Sequence, residues 1–275
     1  MRELIRMMAG PMPEPNLASP YYRALTAALA GRGLTLTALC PDGDVVARRV
    51  LHDYGAIFVA ADNILPPPVC VCTSEDQVDQ FQKAAGWTST TIGDATVELQ
   101  PAAMSALLRA RATAHEEGLE ITPRDGAEAA RRSYADTVRL WNSRFLPALD
   151  HWVKVGRLTR EQADRLRTLP INQQVVEVLE LETQGIFFSK DLSKSVLYSI
   201  AAPGTSQHMA MLAFDVNEFH NSRVREIMAA EGWFQTVLSD LPHFTYLGLQ
   251  ESELPGRGLK PVEVNGLKFW IPEVV

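Results

Sequence analysis

Two imidazoles and two carboxylates near the C-terminal end of the chain have the types and spacing that a catalytic metal centre needs. His208 and Asp215 lie in PGTSQHMAMLAFDV, and Asp240 and His243 lie in SDLPHFTYLG. Zinc takes neutral imidazole nitrogen and carboxylate oxygen, and catalytic centres use three protein ligands and leave a fourth position for water. His208, Asp215 and His243 are therefore the expected ligands of a Zn2+ ion. Asp240, three residues before His243, is the expected base that removes a proton from that water. The chemistry so specified is metal-assisted hydrolysis.

These side chains make demands on the backbone. A fully extended run of seven residues spans about 23 Å at ~3.3 Å per residue. Both His208 and Asp215 must nevertheless come within ~2.0–2.2 Å of one ion. The segment MAMLAF must turn or bulge between them. LAFDV, residues 212–216, then reads as a short buried strand carrying Asp215 inward. Pro242 biases Leu241 toward extended geometry, and HFTYLGL alternates as a strand does. Two neighbouring strands are expected to unite the ligands.

In these segments the chain resembles the zinc D-alanyl-D-alanine peptidases, the VanY-type carboxypeptidases and their dipeptidase relatives. That family's Ser-x-His and Ala-x-Asp are matched by Ser206, His208, Ala213 and Asp215. Its later acidic residue and His, followed by an aromatic-rich strand, are matched by Asp240, His243, Phe244, Tyr246 and Gly248. EIMAAEGWF resembles the helix leading to its second zinc segment, VELQPAAMSALLRARATAHEEGLEI its first helix and following strand, and RRSYADTVRLW its Arg-Ser-led helix. The likeness covers roughly residues 91 to 250, less a long insertion. It departs at two positions: Met211 stands where the family usually has Gly, and Asp240 where it normally has Glu.

The resemblance implies an α+β fold of the Hedgehog/DD-peptidase type, with a small central antiparallel sheet flanked by helices. It implies a zinc-dependent D-Ala-D-Ala carboxypeptidase acting on peptidoglycan stem peptides. It further implies an Arg that holds the oxyanion or substrate carbonyl; Arg124, directly after LEIT, and Arg132, in the better register with Ser133 and Leu140-Trp141, compete for that role. Ser206 is expected to orient substrate or ligands, or to cap a turn. The rival reading, motivated by Met211 and Asp240, is a catalytically inactive zinc-binding relative that binds wall peptides or a protein partner. A further rival is an endopeptidase or D,L-specific enzyme: closure of the cleft by the insertion would favour short peptides, an open groove cross-links.

Composition bounds the rest. The chain has 275 residues, 46% hydrophobic and 21% charged, as an ordinary globular protein does. Its net charge of −7 argues against binding a nucleic-acid backbone. It has no apolar run long enough to span a membrane. The start MRELIRMMAGPMPEP lacks the apolar stretch of a secretory signal. A wall enzyme acts outside the cytoplasm, so an extracytoplasmic location requires an export signal beyond this sequence; without one the location is cytoplasmic. Sequence sets no oligomeric state.

Residues 1–90 read as a separate α/β lobe without a functional motif, with PYYRALTAALAGRG a helix and LTLTALC, DVVARRVLHDYG and GAIFVAA strand-like. Residues 91–275 read as the peptidase-like domain, with LEIT a strand, a helix from about Gly126 to Trp152, and a helical insertion over about 142–195. GLKPVEVNGLKFWIPEVV reads as a hairpin turning at Asn265-Gly266. Cys40, Cys70 and Cys72 supply too few ligands for a zinc framework. They read as buried thiols, with a Cys40 bridge to Cys70 or Cys72 open in an oxidising compartment. No Ser-x-x-Lys or Gly-rich phosphate loop occurs. His52, His115 and His151 read as surface residues, His220 as a candidate neighbour of the ligands, and Trp141, Trp152 and Trp233 as core.

Overall fold

A computed structural model describes residues 15–275. Residues 1–14, and with them nearly all of the start read for an export signal, lie outside the described residues. The fold is mixed: 49% helix and 13% strand, so helices form the bulk and the antiparallel strands are few and short.

The first part of the described chain is helical. Helix α1 (Pro20–Gly31) starts on Ser19, whose hydroxyl accepts from Tyr22 N, with Pro in its first turn. Helix α2 (Leu36–Leu39) is capped by Thr35. Helix α3 (Val45–Tyr54) is capped by Asp44, which accepts from Val46 N and Ala47 N, and runs on into a 3-10 turn, Gly55–Val59. The segments LTLTALC, DVVARRVLHDYG and GAIFVAA are thus helices and turns, not strands. Short apolar runs fit either state, and the Thr35 and Asp44 caps decide for the helix. Helix α4 (Glu75–Ala85), capped by Ser74, leads to the hairpin β1 (Thr88–Ile92) and β2 (Ala95–Leu99), and then to α5 (Pro101–Glu116).

The boundary expected near residue 90 separates no cores. Tyr21, Leu25, Leu51 and Ile57 are packed in one buried cluster with Leu107, Phe214, Phe244 and Trp270. Burying such side chains is worth roughly 1.5–3 kcal/mol each, so the N-terminal helices are structural partners of the C-terminal sheet.

The insertion adds a second core, to which Val46 of α3 also contributes. Helices α6 (Tyr134–Lys154), α7 (Arg160–Thr168) and α8 (Ile171–Thr183) enclose Trp141, Phe145, Leu149 and Phe188. Trp141 is fully buried, and its Nε1 donates to Gln174 Oε1 at 2.7 Å. The helix expected from Gly126 begins at Tyr134 instead. Residues 126–129 form a 3-10 turn, and Ser133 and Asp136 close a capping box that starts α6.

The remaining strands are short. A three-stranded antiparallel sheet in the order β3 (Ala213–Asp215), β5 (His243–Tyr246), β4 (Trp233–Phe234) is completed by helix α9 (Ser222–Ala230) between β3 and β4. LEIT does not form a regular strand: it is tied to the end of β3 by a single bridge, Pro123 to Val216, and by Asn217 N donating to Thr122 O. Proline has no N–H to continue a ladder. The tail is a hairpin, β6 (Leu259–Val264) and β7 (Leu267–Pro272), with Asn265 and Gly266 at φ 53° and 74°, as a tight hairpin turn requires.

Candidate metal centre

The ligands come from one turn and two paired strands. Asp215 and His243 face each other as direct partners in the β3–β5 ladder, and opposed residues of an antiparallel pair share a face of the sheet. His208 lies in a 3-10 turn, Gln207–Ala210, capped by the Ser206 hydroxyl, which accepts from His208 N. Met211 then takes a left-handed conformation, φ 56° and ψ 31°, which reverses the chain into β3. This is the turn that the spacing of His208 and Asp215 demands, and it falls at the position where the resembled family usually has Gly. The turn is held from outside. Gln82 Nε2 donates to Met209 O and Arg132 O, both at 3.0 Å, and Gln100 Nε2 donates to Ala210 O at 2.8 Å. Gly204, just upstream, lies so close to Cys72 that an added Cβ would come within 1.8 Å of its carbonyl oxygen.

Three acceptor atoms converge. His208 Nε2 lies 3.1 Å from His243 Nδ1 and 3.4 Å from Asp215 Oδ1, and His243 Nδ1 lies 3.1 Å from Asp215 Oδ1. All three residues are buried. Tetrahedral coordination with bonds of ~2.0–2.1 Å puts neighbouring ligand atoms ~3.3–3.5 Å apart, so the triangle is close to one face of such a tetrahedron. The three residues form a group able to hold a metal ion.

The outer nitrogens fix which ring atoms are free. His208 Nδ1 is 2.8 Å from Ala130 O; a carbonyl only accepts, so Nδ1 carries the proton and Nε2 keeps its lone pair. His243 Nε2 is 2.8 Å from Gln207 Oε1, which leaves Nδ1 as the free atom. When both rings are neutral they therefore aim two lone pairs, alongside a carboxylate oxygen, at one point. A cation relieves that arrangement.

Electrostatics agree. Burial, with help from Arg132 and His243, lowers the His208 pKa to about 4 against the pull of Asp215, so the ring is neutral near pH 7. Burial opposes ionising Asp215; positive charge on His208 and His243, present only when those rings are protonated, is what would hold the carboxyl well below the usual range. Arg132 Nη2 sits 3.0 Å from Asp215 Oδ2, the oxygen turned away from the imidazoles.

The other expected residues divide. Asp240, Ser206 and Arg132 line a cleft of about 140 Å³ together with His208 and His243. Asp240 is exposed at that cleft; the protein crowded around it, and then the Asp215 carboxylate, raise its carboxyl, against His243, Arg132 and Arg124. Solvent access screens part of that shift. Arg124 lies outside the cleft lining: its N–H donates to Asp215 O, while its half-exposed guanidinium stands over the Phe219 ring at 5.7 Å. His220 is packed on Phe219, and His52, His115 and His151 contact Asp53, Glu120 and Trp152. Trp141, Trp152 and Trp233 are buried core, and Cys40, Cys70 and Cys72 are buried free thiols.

Several contributors escape a reading of motifs. Tyr54 from α3, and Leu197, Tyr198 and Ile200 from the end of the insertion, form the cleft walls. Gln207 sits inside the Ser206–His208 motif itself and touches the second imidazole. Its position next to His208 was the available signal. The Ala130 and Tyr54 carbonyls carry none, because every residue has one. No protein family, curated protein or solved structure matches this chain.

Proposed function

We propose that this protein is a zinc-dependent peptidase that removes the C-terminal residue of D-Ala-D-Ala-ended peptidoglycan stem peptides. The observation that carries the reading is the convergence of His208 Nε2, His243 Nδ1 and Asp215 Oδ1 at 3.1–3.4 Å with both outer imidazole nitrogens engaged. Zinc held there supplies Lewis acidity and makes water a nucleophile near neutral pH. Asp240, on the cleft wall, takes the proton from the attacking water and delivers it to the leaving amine. Arg132 keeps Asp215 charged and oriented and adds positive charge where the oxyanion develops. The sequence resemblance supports the wall-peptide substrate, and acting on such a substrate would call for a location outside the cytoplasmic membrane.

The cleft supports an enzyme that takes chain ends. Its volume of about 140 Å³ is below the ~300 Å³ at which sites for larger ligands begin. Residues 197–201, at the exit of the insertion, close one side, which suits a short terminus better than a cross-link running through. The second reading is a zinc-binding protein without turnover, favoured by Asp240, whose side chain is one methylene shorter than Glu.

Elemental analysis of the purified protein, together with an assay for D-Ala release from D-Ala-D-Ala-ended peptides, tests the proposal. Stoichiometric zinc with chelator-sensitive release supports it. Zinc without release, unchanged in Asp240→Glu, supports the binder. Absence of metal binding sinks both.

A further inference from the structure

Gln207 is fully engaged below the ligands. Its Nε2 donates to Tyr54 O at 2.9 Å, and its Oε1 lies 2.8 Å from His243 Nε2 and 2.5 Å from Thr245 Oγ1. Thr245 Oγ1 is in turn 2.6 Å from Thr236 Oγ1. Gln207, Thr236, Thr245 and His243 are all buried.

The direction of every bond in this chain follows from one atom. Tyr54 O only accepts, so the amide must present its NH2 there. Turning the amide over would set two oxygens 2.9 Å apart in a buried site and leave both unpaired. Oε1 therefore faces His243, and since it only accepts, the proton of that ring is held on Nε2. Thr245 donates to the same oxygen and consequently accepts from Thr236. Tyr54 belongs to α3, far from the ligands in sequence, and its own hydroxyl donates to Leu197 O on the cleft wall at 2.8 Å.

We infer that Gln207, anchored by the Tyr54 carbonyl, is the positioning residue that sets His243 in the tautomer whose Nδ1 can bind metal. The inference rests on the metal-centre reading and gives the N-terminal helices a part in it: α3 holds the amide, the amide holds the ring, and the ring offers Nδ1. Partners that orient ligating imidazoles in this way typically matter 10–100-fold in metal affinity.

The decisive measurement needs no variant. Nitrogen-15 NMR of the histidine rings in the metal-free full-length protein, at a pH where both rings are neutral, reports which nitrogen of His243 is protonated. A proton on Nε2 is expected; a proton on Nδ1 overturns the inference. Two substitutions extend the test. Gln207→Met keeps the side-chain volume and removes the acceptor, while Gln207→Glu, as the neutral acid that this buried site favours, keeps an acceptor for His243 and an O–H donor for Tyr54 O. Zinc affinity measured by chelator competition is expected to fall 10–100-fold in Gln207→Met and to stay within about threefold of the parent in Gln207→Glu. The visible spectrum of the cobalt-loaded protein is expected to change only in the former. Equal losses in both variants, or none in Gln207→Met, overturn the positioning role. A parent protein that binds neither zinc nor cobalt defeats the hydrolase reading instead, and the NMR result stands apart from it.

Discussion

Asp215 and His243 are directly opposed in the β3–β5 ladder, with Oδ1 and Nδ1 3.1 Å apart. The pair before them, Phe214 and Phe244, is also opposed and belongs to the main core. Alternation along a strand puts these two pairs on opposite faces. A slip of one residue would exchange them, placing phenyl rings at the metal centre and charge in the core. The apolar pair thereby fixes the register of the ligand pair.

Arg132 is the counter-charge for this register. Its guanidinium holds Asp215 Oδ2 at 3.0 Å and its Nε donates to Glu128 O. Arg132→Ala would strand a buried carboxylate, a change that costs about 3 kcal/mol or more. A lower midpoint in urea, together with weaker zinc affinity, is expected. A stability within about 0.5 kcal/mol of the parent would contradict the role assigned to the pair.

Two buried groups act on the pH dependence of the metal-free protein in opposite senses. His208 has its pKa lowered to about 4, chiefly by burial. Between about pH 4 and its ordinary ~6.5 the unfolded chain holds the extra proton, so His208 makes stability rise with pH. Glu182, in α8, has its carboxyl raised to about 7, again chiefly by burial, against hydrogen bonds from Ser195, Val196 and Phe188. The folded protein holds that proton between about pH 4.5 and 7, so Glu182 makes stability fall with pH over nearly the same window. Each effect amounts to about 3 kcal/mol at most. A shallow profile is expected for the parent protein and a clear rise from pH 4.5 to 6.5 for Glu182→Gln, read from urea midpoints. Profiles of equal slope would refute the opposition.

Asp240 is separable from the ligands. Asp240→Asn is expected to leave zinc content unchanged and to cut peptide turnover about 10²–10⁴-fold. Asp240→Glu, which lengthens the side chain by one methylene, is expected to keep turnover or raise it. Release of D-Ala at matched metal loading is the readout. Unchanged turnover in Asp240→Asn would remove Asp240 from the chemistry.

Met211 sets strain against burial. Its left-handed backbone costs roughly 1–2 kcal/mol for a residue with a side chain, yet that side chain is fully buried, and deleting a buried Met costs about 2–5 kcal/mol. Burial wins, so Met211→Gly should lower the stability by about 2 kcal/mol while leaving zinc affinity intact. A gain in thermal midpoint would show that the strain is the larger effect.

The parts legible in the sequence were those with local signals. The spacing of His208 and Asp215 demanded a turn, LAFDV and HFTYLGL carried strand patterns, and Asn265-Gly266 marked its hairpin. LTLTALC and DVVARRVLHDYG misled because their apolar residues fit either state, and the caps that settle α2 and α3 lie outside the apolar positions; GAIFVAA, a short apolar run with no period of its own, continues α3 as a 3-10 turn. The shared core was hidden for another reason: contacts such as Tyr21 with the β6–β7 hairpin region join residues distant in the chain, and no spacing encodes them. The supports of the imidazoles are mostly main-chain carbonyls, Ala130 and Tyr54, which any residue could supply.

The tie from Tyr54 to Gln207 has a bearing on how the molecule can be shortened. A chain begun at residue 91 would retain His208, Asp215 and His243 but forfeit both the N-terminal side of the shared core and the Tyr54 carbonyl behind Gln207. Trimming to the recognisable motif would thus yield a fragment whose second histidine is at liberty to choose the wrong nitrogen.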